Sequence, residues 1–104
     1  MAETEHHERR QHKRAPFTKE VEIVGAGLFR CSNLSAGGMF LETVQFFPVG
    51  TVLDLRFKLS EADEHPINVH ARVAYIYEGS GIGLYFVSLK SEDRQEIEKF
   101  IEQA

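Results

Sequence analysis

Two runs of strict alternation constrain the fold of this chain more than any other feature. Across Val52–Leu59, the apolar residues Leu53, Leu55, Phe57 and Leu59 alternate with Asp54, Arg56 and Lys58. That is the period of a strand with one face buried and the other in water. Ile67, Val69, Ala71, Val73 and Tyr75 repeat the pattern, with Asn68, His70 and Arg72 outward. As a helix, either run would scatter its apolar residues over every side. The polar segment Ser60–Pro66 joins them, so the pair reads as antiparallel neighbours that bury one face and need other strands to supply the opposite wall.

The rest of the chain offers those strands. Phe17–Val24 places Val21 and Ile23 on one face, and Gly25-Ala26-Gly27 follows as a turn. Leu28–Leu34 and Gly38–Thr43 read as the second and third strands, and Ile82–Val87 as the sixth, with Ile82, Leu84 and Phe86 sharing a side. Gln45–Gly50 is a loop marked by Pro48 and Gly50, and Phe46 and Phe47 are expected to cap the end of the core. A helix closes the sequence. Ser91 is its N-cap, Glu92 and Asp93 suit the positive end of the dipole, and Ile97, Phe100 and Ile101 form a short apolar stripe. A stripe that short predicts a helix laid across the mouth or side of a sheet. Six strands and one helix predict an all-β fold, a six-stranded antiparallel barrel with a C-terminal α-helix, since closure hides sheet edges. A chain of 104 residues is one domain.

Several functions are disfavoured. No apolar run approaches the ~20 residues of a membrane span, and the polar start Met1–His7 does not read as a signal peptide. One cysteine, Cys31, rules out an internal disulfide framework and suits a reducing compartment, so a cytoplasmic location is expected. The net charge of −4 argues against a general binder of nucleic acid. His6, His7 and His12 lack the further ligands of a metal tract, and no metal or cofactor is expected. The carboxylates are scattered, His65 and His70 read as sheet or surface residues, and Cys31 as a small apolar one. No catalytic constellation emerges, and an enzyme is not expected. Gly79-x-Gly81-x-Gly83 leads into a strand and not a helix, so it lacks the helix N-terminus of a dinucleotide loop.

Two stretches remain. Arg9-Arg10-Gln11-His12-Lys13-Arg14 concentrates four basic residues and no acid in an otherwise mildly acidic chain. Two guanidinium forks on such an arm suit a planar anionic ligand, by bidentate donation and by stacking. Asn33-Leu34-Ser35-Ala36-Gly37-Gly38 joins two strands. Asn33 and Ser35, two apart, point the same way, and Gly38 lacks a Cβ, which allows close approach of a flat ligand or of another backbone.

Together these residues resemble the PilZ domain, the bacterial receptor module for cyclic di-GMP. The family pattern is Arg-x-x-x-Arg, often with a preceding Arg, then Asp/Asn-x-Ser-x-x-Gly some twenty residues on. Arg9, Arg10 and Arg14 fit the first part, and Asn33, Ser35 and Gly38 the second. Gly81-Ile82-Gly83-Leu84-Tyr85-Phe86 looks like the family's late strand. Residues 1–8, which hold no apolar periodicity, read as a disordered tail, and the resemblance implies a domain over residues 9–104. It implies cyclic di-GMP held on the outside of the barrel by Arg9, Arg10, Arg14, Asn33, Ser35, Gly37, Gly38 and Gly83. Arg10 and Arg14 would take the guanine edge and phosphates, Asn33 a guanine N–H edge, Ser35 polar groups of the ligand, and Gly38 would leave room for the base. Where the family often has Asp, Asn33 accepts without full charge, and Arg9 leans toward a stacked pair of ligands. The expected role is a stand-alone adaptor, monomer or dimer, whose arm orders on binding and is read by an unidentified protein partner. Two other readings compete: a module of this fold working through protein contacts alone, and a small RNA-binding barrel, against which an acidic chain with no obvious aromatic stacking face speaks.

Overall fold

The computed structural model describes residues 14–103, with side chains from residue 17 onward. Its elements are β1 (Arg14–Ile23), β2 (Gly27–Ser35), β3 (Gly38–Glu42), β4 (Val52–Phe57), β5 (Ile67–Tyr77), β6 (Gly81–Ser88) and α1 (Ser91–Gln103). The six strands close in the order β1-β2-β3-β6-β5-β4, every pairing antiparallel. The expected barrel with its C-terminal helix is therefore the observed fold. The expected tail of residues 1–8 lies outside the described residues.

The two alternating runs pair as their pattern requires, Phe57 opposite Ile67 and Val52 opposite Arg72. Leu55, Phe57, Val69, Ala71 and Val73 are buried, and between them Arg56, Asn68, His70 and Arg72 are exposed. β1 contributes Phe17, Val21 and Ile23 to the core, β2 Cys31 and Leu34, β3 Met39 and Leu41, and β6 Ile82 and Leu84. The seam between β1 and β4 is short, with Glu22 opposite Arg56 and Ile23 opposite Leu55. An ion pair of 3.7 Å between Arg56 Nη1 and Glu22 Oε1 lies over it.

The barrel has two unlike ends. At one, β1 begins, the β2–β3 turn sits and α1 docks. Ile97 and Ile101 are buried there, and Phe17 meets Phe100 edge-to-face at 5.5 Å and Phe57 at 6.2 Å. At the other end the loop after β3 folds Phe47 against Phe29, 5.9 Å between ring centroids. Only one of the two expected capping phenylalanines does this work, because Phe46 is 74% exposed.

Strand limits also differ from the pattern. β1 begins three residues before the expected Phe17, since Arg14, Ala15 and Pro16 pair with Ser35, Leu34 and Asn33. Proline is tolerated because, among the described residues, β1 pairs with β4 only at Glu22 and Ile23, and no strand pairs with the other side of Pro16. β4 stops at Phe57, although Leu59 remains buried, and β5 runs on to Tyr77.

Candidate ligand-binding face

Residues directly opposite in an antiparallel ladder share a face. Asn33 is opposite Phe40, Phe40 opposite Gly83 and Gly83 opposite Tyr75. A parallel row runs Ser35, Gly38, Tyr85 and Arg72. Between the rows Leu34, Met39, Leu84 and Val73 point into the core. The two rows therefore form the outer surface over β2, β3, β6 and β5. The backbone of β1 extends both, with Pro16 opposite Asn33 and Arg14 opposite Ser35.

Two β-bulges create this face. The β2–β3 register shifts between Cys31 and Asn33, and the β5–β6 register between Val73 and Tyr75. An extra residue reverses the side to which the next side chain points. Cys31 is buried, and simple alternation would send Asn33 inward after it; the extra residue turns Asn33 out beside Phe40 instead. Tyr75 was expected on the core side with Val73. The bulge corrects this, and its ring lies over Gly83.

The result is an aromatic surface that the sequence did not reveal. Phe40 and Tyr75 lie 6.5 Å apart at an interplanar angle of 27°, and Tyr77 packs 5.2 Å from Tyr75. Tyr85, in the neighbouring row, is 56% exposed. Tyr75 reaches this surface only through the bulge after Val73. The assembly of these rings depends on β3 lying beside β6, two strands far apart in sequence.

The turn between β2 and β3 is built on Ser35. Its Oγ accepts from the amides of Gly37 (3.1 Å) and Gly38 (3.2 Å), and the residue is 2% exposed. The Gly37 carbonyl accepts the Phe86 amide at 2.9 Å, tying the turn to β6. The Ser35 hydroxyl, expected to meet the ligand, is thus engaged by its own turn. Replacing Ser35 by Ala strips two amides of their acceptor and is expected to cost about 1–2 kcal/mol, read as a fall of roughly 5–15 °C in Tm.

The glycines also serve the packing. A Cβ on Gly38 would run into the Leu84 carbonyl of β6, so of the two close approaches expected at this position the structure shows that of another backbone. A Cβ on Gly83 would run into the Tyr75 ring. In the motif Gly79-x-Gly81-x-Gly83, Gly79 makes the β5–β6 turn at φ 81°.

Of the expected site residues, Asn33, Ser35, Gly37 and Gly38 meet at one corner of the barrel, with the first residue of β1, Arg14, in register beside them. Gly83 lies along the same row. Arg9 and Arg10, like His6, His7 and His12, lie outside the described residues. Among the described residues no group of three or more His, Cys, Asp or Glu side chains could hold a metal. No helix among them is long and apolar enough to cross a membrane. A groove of about 640 Å³ lies over β4 and β5 and is lined by none of the expected site residues. Within it His70 Nε2 lies 2.6 Å from Asp54 Oδ1, and Arg56 donates from Nε to Asn68 Oδ1 at 3.0 Å and pairs with Glu22.

Comparison with known proteins gives the geometry a context. The family model of the PilZ domain matches residues 8–103. No curated protein matches the chain. Among solved structures, the Bacillus subtilis inhibitor of motility MotI/DgrA superposes with a TM-score of 0.81 at 26% identity, over 91% of this chain and 50% of that one. Escherichia coli YcgR in complex with c-di-GMP gives 0.69 at 14% identity, over 91% of this chain and 45% of that one. The PlzA protein of Borreliella burgdorferi in complex with c-di-GMP gives 0.64 at 14%, over 96% and 44%. Identity of 14% carries the fold alone, and the chain spans half or less of each of these structures.

Proposed function

The chain belongs to the PilZ domain family, and from that premise we propose that it is a receptor for cyclic di-GMP whose arginine arm closes over the outer face of β2 and β3. The observation that carries the reading is the register of β1: Arg14 stands opposite Ser35 and Pro16 opposite Asn33. The arm therefore leaves the barrel beside the Asn33–Gly38 turn, where a ligand can touch both.

The chemistry fits a guanine. Its N7 and O6 form a paired acceptor edge that an arginine fork matches bidentately, and phosphates attract the same groups. We assign Arg10 and Arg14 to these acceptors and Arg9 to a second ligand of a stacked pair. Asn33 serves a guanine N–H edge with its amide oxygen. Ser35, Gly37, Gly38 and Gly83 act by shaping the face. The Phe40–Tyr75 pair offers a flat surface for a purine, and base–aromatic stacking is worth about 1–3 kcal/mol per base. Tyr75→Ala is accordingly expected to raise the Kd for cyclic di-GMP about tenfold.

The output we propose is the ligand-fixed position of residues 9–13, read by a partner protein, with residues 9–104 as the folded unit. The reading is of a binding module and not an enzyme. Buried Cys31, the one cysteine of the sequence, fits a reducing compartment such as the cytoplasm. Calorimetric titration with cyclic di-GMP and with GMP tests the proposal. Saturable binding of the cyclic dinucleotide with far weaker binding of GMP is the expected result. A flat titration with both leaves a module that works by protein contacts alone.

A further inference from the structure

Building on the cyclic di-GMP reading, we propose that Arg94 of α1 is a further ligand contact, supplying a guanidinium to a phosphate of the bound nucleotide. The helix passes over the β2–β3 turn, and Arg94 Nη1 lies 3.5 Å from the carbonyl oxygen of Ala36. That separation is at the outer limit of a hydrogen bond, so it aims the side chain without locking it. A guanidinium has five N–H donors, and this contact occupies one of them.

The surroundings make the placement informative. α1 carries Glu92, Asp93, Glu96, Glu98 and Glu102, and Glu98 sits at i+4 from Arg94, where an ion pair forms readily. Arg30 and Arg56 both have carboxylate partners, at 3.9 and 3.7 Å. Arg94, like Arg72, makes no ion pair among the described residues, but where Arg72 Nη1 meets the Gly50 carbonyl, Arg94 Nη1 meets the carbonyl of the β2–β3 turn. The turn itself has little to offer an anion. The amides of Gly37 and Gly38 are held by Ser35 Oγ, and the Gly37 carbonyl by Phe86. Positive charge must then come from side chains, and Arg94 is the described cation in contact with the turn. A phosphate seated beside Ala36 would draw the guanidinium from a weak carbonyl contact to a charge-assisted one. The position of α1 would become part of what the ligand fixes.

Calorimetry with cyclic di-GMP on the full chain, at low and high salt, tests this with Arg94→Gln, Arg94→Lys and the same-helix control Lys99→Gln. Arg94→Gln is expected to raise Kd about tenfold or more, with Arg94→Lys intermediate and Lys99→Gln like the wild type. The deficit should shrink at high salt, because an ionic contact is screened, and the Tm without ligand should stay near that of the wild type. Binding by Arg94→Gln equal to the wild type overturns the inference and leaves the receptor reading intact. Equal, salt-independent losses in Arg94→Gln and Arg94→Lys, with a lowered Tm, also overturn it, since Arg94 would then act by holding the turn. A wild type that does not bind cyclic di-GMP removes the receptor reading and the inference with it.

Discussion

Arg14→Ala is expected to raise the Kd for cyclic di-GMP about a hundredfold, the largest effect of any single change on binding. Arg14 is the first residue of β1 and the register partner of Ser35, so its backbone is held in the sheet at the edge of the candidate face. An arginine whose backbone is already held in a strand has less freedom to give up on meeting a ligand than one on a loose segment. On the proposed role, truncation would remove charge-assisted hydrogen bonds and stacking together, each worth about 1–3 kcal/mol. Arg14→Lys should recover little, because an ammonium is a point charge and cannot match the paired acceptors of guanine. Calorimetry on the three proteins checks this. An Arg14→Ala protein that binds within a few-fold of the wild type would separate β1 from the ligand.

The largest expected loss of stability comes from adding a single methyl group at Gly38. Its Cβ would collide with the Leu84 carbonyl, and the nearest atoms all belong to the β6 backbone, which cannot rotate away as a side chain can. The clash must be relieved by parting β3 from β6. These strands pair from Gly38–Tyr85 to Glu42–Gly81 and carry Met39, Leu41, Ile82 and Leu84 into the core. Gly38→Ala is therefore expected to cost about 3 kcal/mol or more, a fall of roughly 15–20 °C in Tm for a domain of this size. Gly83→Ala makes the contrast. There the obstacle is the half-buried Tyr75 ring, which can swing aside, so stability should change much less while the aromatic surface is disturbed. Thermal unfolding followed by circular dichroism distinguishes the two. Equal and small effects would mean that the close approach of β6 at Gly38 is not what holds that corner.

The fold was legible in the sequence wherever alternation was regular. Leu53–Leu59 and Ile67–Val73 announce a half-buried strand pair, and Ile97 and Ile101 find the apolar stripe of the helix. The two resembling motifs likewise point to the corner where Arg14, Asn33 and Ser35 come together. What escaped the sequence are the places where alternation breaks. The bulges after Cys31 and Val73 turn Asn33 and Tyr75 outward. A bulge has no composition of its own, since it exists only relative to the partner strand's register. The pairing of β3 with β6 is equally invisible locally, and with it the meeting of Phe40, Gly83 and Tyr75. The same holds for the work of Ser35 and Gly38. Both fit a ligand motif, yet the hydrogen bonds of one and the close neighbour of the other belong to the turn and to β6. Strand packing and ligand binding ask for the same small residues at such a corner, and only the coordinates of the neighbouring strand tell them apart.

The central claim is that the start of β1 and the Asn33–Gly38 turn make one binding face. Titration of the isotopically labelled chain with cyclic di-GMP, followed amide by amide by NMR, tests it most directly. The account predicts that the shifts concentrate in residues 9–15, in Asn33–Gly38 and along Phe40, Gly83 and Tyr75, while the groove over β4 and β5 stays unperturbed. Shifts confined to Asp54, Asn68 and His70, with the turn and the start of β1 unmoved, would contradict it.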